Sequence, residues 1–245
     1  MKVVFLGATR GMGRALSRKM AARGDQMFLI GRDPDALRES ADDLAVRATG
    51  PAAGVAVCDL SRPETFEPAL AAADEALGGF DCVVVTAAMF GTQDALEADA
   101  DFARRLLTVN FANTVVFCEA ARKRLLEHGG GTLCVFSSVA GDRGRKPVAI
   151  YGASKAGLSH YLESLDHKFR SAGLRTVCVK PGFVKTGMTE GLKPPPFAGE
   201  PDPVAEAVLQ GIDRGTPVVY APAIWQLIML VIKNMPRQVM RIVNF

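Results

Sequence analysis

The feature that most constrains this chain is an apolar run, Val3-Val4-Phe5-Leu6, that breaks at once into Gly7-Ala8-Thr9-Arg10-Gly11-Met12-Gly13. Four apolar residues ended by a glycine fall short of a signal-peptide core, so the run reads as a buried strand. The glycines allow a strand to turn sharply into a helix, and a helix opening there aims its free N–H groups at any phosphate that approaches. That helix is expected from about Gly11 to Arg23, followed by a second strand over Gln26–Ile30. Asp33-Pro34 has the form of a helix start, with Asp as N-cap and Pro in the first turn. The spacing is G-x-x-x-G-x-G, and a plain tight turn is the competing reading. Strand, glycine turn, helix and strand within the first thirty residues favour a phosphate-binding unit.

The alternation continues down the chain. Strands are expected at Gly54–Cys58, Asp81–Thr86, Thr132–Ser137 and Arg175–Lys180. Helices are expected at about Glu64–Leu77, within Asp99–Glu127, and from the Tyr151 region to about Ser171. Strands alternating with helical stretches predict a parallel sheet covered on both faces. Ligands of such sheets bind beyond the carboxyl ends of the strands. Asp59, Thr86, Ser138 and Pro181-Gly182 all fall at such ends.

With 245 residues the chain has room for one large α/β domain with a full core. The net charge is only +3 and no basic patch is concentrated enough for a nucleic-acid partner. Five cysteines (Cys58, Cys82, Cys118, Cys134, Cys178) lie in apolar runs without C-x-x-C spacing. They read as buried thiols in a reducing, cytoplasmic setting. His128, His160 and His167 lack metal-ligand spacing, so no metal site is expected.

Chemistry enters with Tyr151-Gly152-Ala153-Ser154-Lys155 and with Ser138 upstream. Residues four apart share a helix face, which puts the Tyr151 phenol and Lys155 ammonium together. A neighbouring ammonium lowers a phenol pKa by roughly 1 to 3 units, and a tuned phenol serves as acid or base for a carbonyl–alcohol pair. A tyrosine and a lysine on a solvated helix face is the bland alternative.

Together these residues resemble the short-chain dehydrogenase/reductase family from Val3 to about Tyr220. The resemblance implies a single Rossmann-type, doubly wound α/β domain and a nicotinamide cofactor held by Gly7, Thr9, Arg10, Gly11, Met12 and Gly13. It extends that cofactor site to Asp59-Leu60, Ala87 and the Pro181-Gly182-Phe183-Val184-Lys185-Thr186 segment, through Pro181, Gly182, Val184 and Thr186. It implies that Ser138 holds the substrate oxygen, that Tyr151 moves the proton, and that Lys155 binds the nicotinamide ribose and depresses the phenol pKa. Asn110 would hold a water in the proton relay. The family's N-N-A-G is here Thr86-Ala87-Ala88-Met89, which removes asparagines that brace the sheet and lets Met89 narrow the substrate space. Where an NAD site wants an acid after the second strand, this chain has Gly31-Arg32, with Arg10 in the glycine turn. Asp33 is occupied as an N-cap, so two guanidiniums are left to clamp a 2′-phosphate, and the cofactor expected is NADP(H).

Residues 187–203 shift to Gly, Pro and charge, which suggests a substrate lid carrying Met188 and Leu192 inward, or a mobile loop. Arg143, Arg145 and Lys146, between Ser138 and Tyr151, are a solvated run or a site for an anionic group on the substrate. The oxidoreductase domain is expected over 1–221 and a helical tail over 222–245. In the tail, Ala223–Met235 is apolar nearly all round but too short to span a bilayer. After Pro236 the pattern becomes basic and amphipathic. Two readings stand side by side: a peripheral anchor on the inner face of the cytoplasmic membrane, and a subunit interface of the homodimer or homotetramer common in the family. The tail, the Gly141–Lys146 loop and the Tyr151–Gly157 run are also similar to a branch that includes reductases of polyprenyl-phosphoryl 2-keto-pentoses, which implies a lipid-linked substrate. The expected function is therefore NADP(H)-dependent hydride transfer to a carbonyl or from a secondary alcohol. The competing functions are a catalytically silent dinucleotide-binding redox sensor and a membrane-surface scaffold.

Overall fold

The computed structural model describes residues 1–47 and 54–243. Seven strands form one parallel sheet: β1 (Lys2–Leu6), β2 (Gln26–Gly31), β3 (Gly54–Val57), β4 (Cys82–Val85), β5 (Gly131–Phe136), β6 (Leu174–Pro181) and β7 (Val218–Ala221). Their order is β3-β2-β1-β4-β5-β6-β7. The order reverses between β1 and β4, which pair in register from Val3 with Cys82 to Leu6 with Val85. A crevice at the carboxyl ends of these two strands is where a doubly wound sheet takes its ligand.

Both faces of the sheet are covered. On one side α1 (Gly11–Ala22), α2 (Pro34–Arg47) and α8 (Pro201–Arg214) bury Leu16, Met20, Leu37, Val208 and Ile212 against Phe5, Leu29 and Val179. On the other side lie α3 (Phe66–Leu77), α6 (Thr114–Glu127) and α7 (Ala149–Phe169). They bury Leu70, Phe117, Leu158 and Leu162 against Val4, Val83 and Leu133. β1, β4 and β5 run apolar almost without interruption because both of their faces are covered. The five cysteines are buried and free.

Several elements differ from the sequence expectation. A short helix α4 (Gln93–Ala98) precedes α5 (Ala100–Leu107), and the two are N-capped by the Thr92 and Asp99 side chains. Between α5 and α6 the chain widens into a π-helical stretch, Thr108–Asn113. α8 begins at Pro201, so two of its first three residues are prolines, where no backbone N–H partner is needed.

The tail is two helices, α9 (Ile224–Asn234) and α10 (Arg237–Ile242), separated by Pro236. α9 is not apolar all round in its surroundings. Trp225, Met229 and Ile232, spaced four and three apart, are buried with Val139 in a third cluster against which Phe183, Tyr220 and Met240 pack. No helix among the described residues is long and apolar enough to cross a membrane.

Candidate active site

The glycine turn is built by close approach. Gly7 and Gly11 sit at φ +101° and +52°, where a side chain is strained. A Cβ on Gly13 would overlap the Gly7 carbonyl and lie 2.6 Å from the Thr86 hydroxyl. These close backbone approaches fix the turn at the amino end of α1, where the free N–H groups of the first helical turn can meet a phosphate. Thr86 Oγ1 donates to the Gly7 carbonyl at 2.8 Å. The bracing expected to be lost with the family's asparagines is thus supplied across the β1–β4 crevice by a threonine.

Thr9, Arg10 and Met12 lie along this turn, and Arg10 is exposed at the N-cap of α1. Arg32 is exposed beyond β2, and among the described residues neither guanidinium makes an ion pair or a side-chain hydrogen bond. Asp33 Oδ1 accepts from the Asp35 and Ala36 amides at 3.1 Å, the N-cap expected of it. Asp59 caps the Ser61 amide at 2.8 Å, and Leu60 gives its carbonyl to Asn113 at 2.6 Å. Ala87 follows Thr86 and holds its amide to the Leu6 carbonyl. From the other side of the crevice, Pro181 ends β6 and Val184 is buried. Thr186 comes within 3.3 Å of the Cβ position on Gly11. The two halves of the expected cofactor site therefore face each other.

Ser138 follows β5 and its Oγ accepts from the Ala140 amide at 3.1 Å. Gly141 and Gly152 allow this segment to lie on α7: a Cβ on Gly141 would stand 2.6 Å from the Lys155 carbonyl carbon, and one on Gly152 2.8 Å from the Ala140 carbonyl oxygen. Ser137 completes the joint. Its hydroxyl donates to the Lys155 carbonyl at 2.9 Å and meets Ser159 Oγ at 2.7 Å. Sequence reading missed Ser137 and Ser159; a polar residue at the end of a strand buried on both faces was the available signal. Phe90 packs edge-on against the Tyr151 ring, 5.2 Å between centroids.

The expected electrostatic tuning of Tyr151 is not what this geometry gives. Burial raises the phenol to about 12, and the adjacent Ser138 hydroxyl only partly offsets that. Lys155 is 2% exposed and its Nζ donates to the Phe136 carbonyl at 2.9 Å. The ammonium lies 5.9 Å from the Tyr151 ring centre, and burial lowers its own pKa to about 8. Both groups share a helix face, but the lysine is aimed at a backbone oxygen and desolvation governs both pKa values.

Three further expected site residues make contacts that the sequence did not indicate. Asn110, 1% exposed, accepts from the Met89 amide (2.7 Å) and donates to the Met89 carbonyl (2.8 Å). Its side chain bolts the π-helical stretch to the segment after β4. Arg143 donates to the Met235 carbonyl at the end of α9 (2.9 Å), so it braces loop to tail. Met188 is exposed, because the Thr189 hydroxyl locks the Gly187–Thr189 turn to Val184 (2.7 Å) and turns Met188 outward. Leu192 does face a pocket of about 320 Å³ with Phe183 and Thr186. Met89 is half-buried against the cluster behind β4.

Comparison with known proteins agrees with this architecture. A family model described as short chain dehydrogenase matches residues 1–196. An uncharacterized oxidoreductase of Myxococcus xanthus (strain DK1622) is 35% identical, the alignment covering 90% of this chain and 86% of that one. A protein of Danio rerio named carbonyl reductase family member 4 is 31% identical over 85% of this chain and 89% of its own. Among solved structures, levodione reductase superposes with a TM-score of 0.81 at 23% identity, covering 89% of this chain and 94% of the other, a likeness of fold. The family binds a nicotinamide dinucleotide, and the amino end of α1 with Thr186 facing Gly11 is where this chain's residues would hold one. A seven-stranded parallel sheet, a glycine turn at its switch point and a family match across most of the sequence place this chain in the short-chain dehydrogenase/reductase family of oxidoreductases.

Proposed function

We propose that this chain is an NADP(H)-dependent carbonyl reductase acting on an apolar or lipid-linked carbonyl, with Tyr151 as proton donor. The observation that carries the reading is the joint between Ser138 and α7, where Ser137 fixes both relative to Lys155. The bound dinucleotide supplies the hydride. Ser138 holds the carbonyl oxygen by its hydroxyl, and Tyr151 donates its phenolic proton to that oxygen. A phenol raised to about 12 stays protonated at neutral pH, the form an acid must have. Lys155 supplies positive charge beneath the site while it remains protonated, and Asn110 is a positioning residue. Arg10 and Arg32 support the choice of NADP(H), because both are exposed cations without a partner among the described residues, and the nearest acid, Asp33, caps α2. Exposed Leu107, Phe111 and Val116 beside α7 support a homodimer or homotetramer built on that side.

The test is NADPH consumption by the purified chain across a panel of apolar ketones and aldehydes. Turnover is expected, with Tyr151→Phe lowering kcat by about 100-fold or more. NADPH binding should be preserved in that variant. Wild-type turnover by Tyr151→Phe rejects the assigned chemistry; NADPH binding without turnover on any carbonyl leaves the redox-sensor reading in its place.

A further inference from the structure

From Thr216 onward the chain contains Lys233, Arg237 and Arg241 and no aspartate or glutamate, so this segment alone accounts for the net charge of +3. None of the three cations forms an ion pair among the described residues. α9, which carries Lys233, has two apolar faces. One is buried through Trp225, Met229 and Ile232. On the other, Leu227 and Leu230 are each 60% exposed and Val231 55%, side by side at helical spacing. Past Pro236, α10 adds Val239 and Ile242, the latter 83% exposed. Single exposed aliphatics are ordinary; a row of three along one helix, with two more on the helix that follows, marks a surface that is covered in use.

We propose that this row lies on the surface of an anionic lipid bilayer, with the leucines and Val231 toward the acyl chains and the three cations at headgroup level. An eleven-residue helix is about 16 Å long, so the contact is peripheral. Charge complementarity selects the partner. Two-fold pairing with a second copy would bring both sets of Lys233, Arg237 and Arg241 onto one surface with no carboxylate to answer them. The outer row is aliphatic, and among the exposed residues between Ile224 and Val231 only Gln226 offers a side-chain hydrogen bond. Such a face lacks the aromatic anchors and polar rim that recognise a protein and suits fluid hydrocarbon. The placement also orients the molecule. Trp225 packs on Gly182 and donates to the Phe197 carbonyl at 3.3 Å, so the bilayer face is one helix away from the mouth of the site.

The experiment is co-sedimentation of the full-length chain with phosphatidylglycerol vesicles and, separately, phosphatidylcholine vesicles. Binding is expected to the first and not the second, and to weaken as salt is raised. Each cation near an anionic surface contributes about fivefold, so Arg237→Gln with Arg241→Gln should weaken binding by about 30-fold. Leu227→Asn with Leu230→Asn should abolish it. Trp225, the only tryptophan, reports through its emission that α9 remains docked in each variant. Three results overturn the proposal: no binding to phosphatidylglycerol, equal binding to both vesicles, or unchanged binding by the leucine variant. An oligomer that the leucine variant splits, with no vesicle binding, assigns the face to a second copy; capture by an acidic protein without vesicle binding assigns it to that class.

Discussion

Burial, more than charge pairing, sets the properties of the two central side chains. Spacing placed Lys155 beside Tyr151 but did not disclose that both would be drawn out of water, which raises one pKa and lowers the other. The lysine therefore has a stability signature. Below about 8 it is charged in both the folded and unfolded chain, and the desolvation penalty is fully present. Between about 8 and the ordinary 10.5 the folded chain releases the proton first, so stability rises with pH by about 3 kcal/mol across that window. Tyr151 acts in the opposite sense between 10 and about 12, where the folded state retains a proton that the unfolded chain loses. Thermal unfolding of wild type against Lys155→Met, near pH 7 and near pH 10, should show the variant's relative advantage shrinking as pH rises. The same titration belongs in the kinetics. kcat/KM for carbonyl reduction should be flat below about 8 and fall tenfold per unit above it as the ammonium is lost. A profile flat through pH 10 would remove Lys155 charge from the mechanism. At the other end of the crevice, Arg32→Ala should raise KM for NADPH by on the order of 10- to 100-fold and leave NADH little changed, because only a 2′-phosphate uses the guanidinium. Equal effects on both cofactors would place Arg32 outside the cofactor site.

At the scale of elements, the loop between β5 and α7 carries Ser138 and is clamped to the strands beside it. The Asp142 carboxylate accepts from Lys180 Nζ in β6 (2.6 Å) and from the Tyr220 hydroxyl in β7 (2.7 Å). Both charges of the ion pair are withdrawn from water, with side-chain exposures of 2% and 11%. Asp142→Asn leaves a buried ammonium without its counter-charge, a change that costs about 3 to 5 kcal/mol in comparable pairs. Asp142→Asn with Lys180→Met should recover most of that in denaturant unfolding; purely additive losses would show that the clamp is not coupled. The clamp explains a limit of reading by sequence. Gly141–Lys146 looked like a solvated basic loop, yet its informative residue is the acid, whose partner lies 38 positions away and is set by strand order, not spacing. Local signals were legible: the glycine turn, the Asp33 cap and the long apolar strands each depend on neighbours within a few residues. α4 and β7, six and four residues long, were not, because elements so short are fixed mainly by what they pack against. The Thr86 brace was invisible for a related reason. Its acceptor is the Gly7 carbonyl, 79 residues away, and only the β1–β4 pairing brings the two together.

At the scale of the molecule, the sheet divides two apolar clusters, and a third closes the carboxyl ends of β6 and β7 beneath α9. The sequence alone allowed a tail to be drawn from 222 onward as an appendage. Its packing makes it part of the body. A Cβ on Gly182 would fall inside the Trp225 indole, so the turn after β6 and the first turn of α9 were shaped together. Arg143 ties the far end of α9 to the loop that bears Ser138. Trp225 also holds the Phe197 carbonyl, while the Gly199 amide pairs with the Phe183 carbonyl at 2.8 Å and closes the base of the loop over the 320 Å³ pocket. Removing the helix should therefore disturb both stability and substrate binding. Trp225→Ala deletes a large buried side chain, a change worth about 3 to 5 kcal/mol, and frees the Phe197 segment. A chain ending at Ala221 uncovers Val139, Phe183 and Tyr220 together and should unfold at a lower temperature still, with no membrane present. In Trp225→Ala, KM should rise for the carbonyl and for NADPH alike, because the indole supports Gly182 in the wall of the cofactor site that faces the glycine turn. Wild-type stability in the chain ending at Ala221 would show that α9 rests on the body without supporting it.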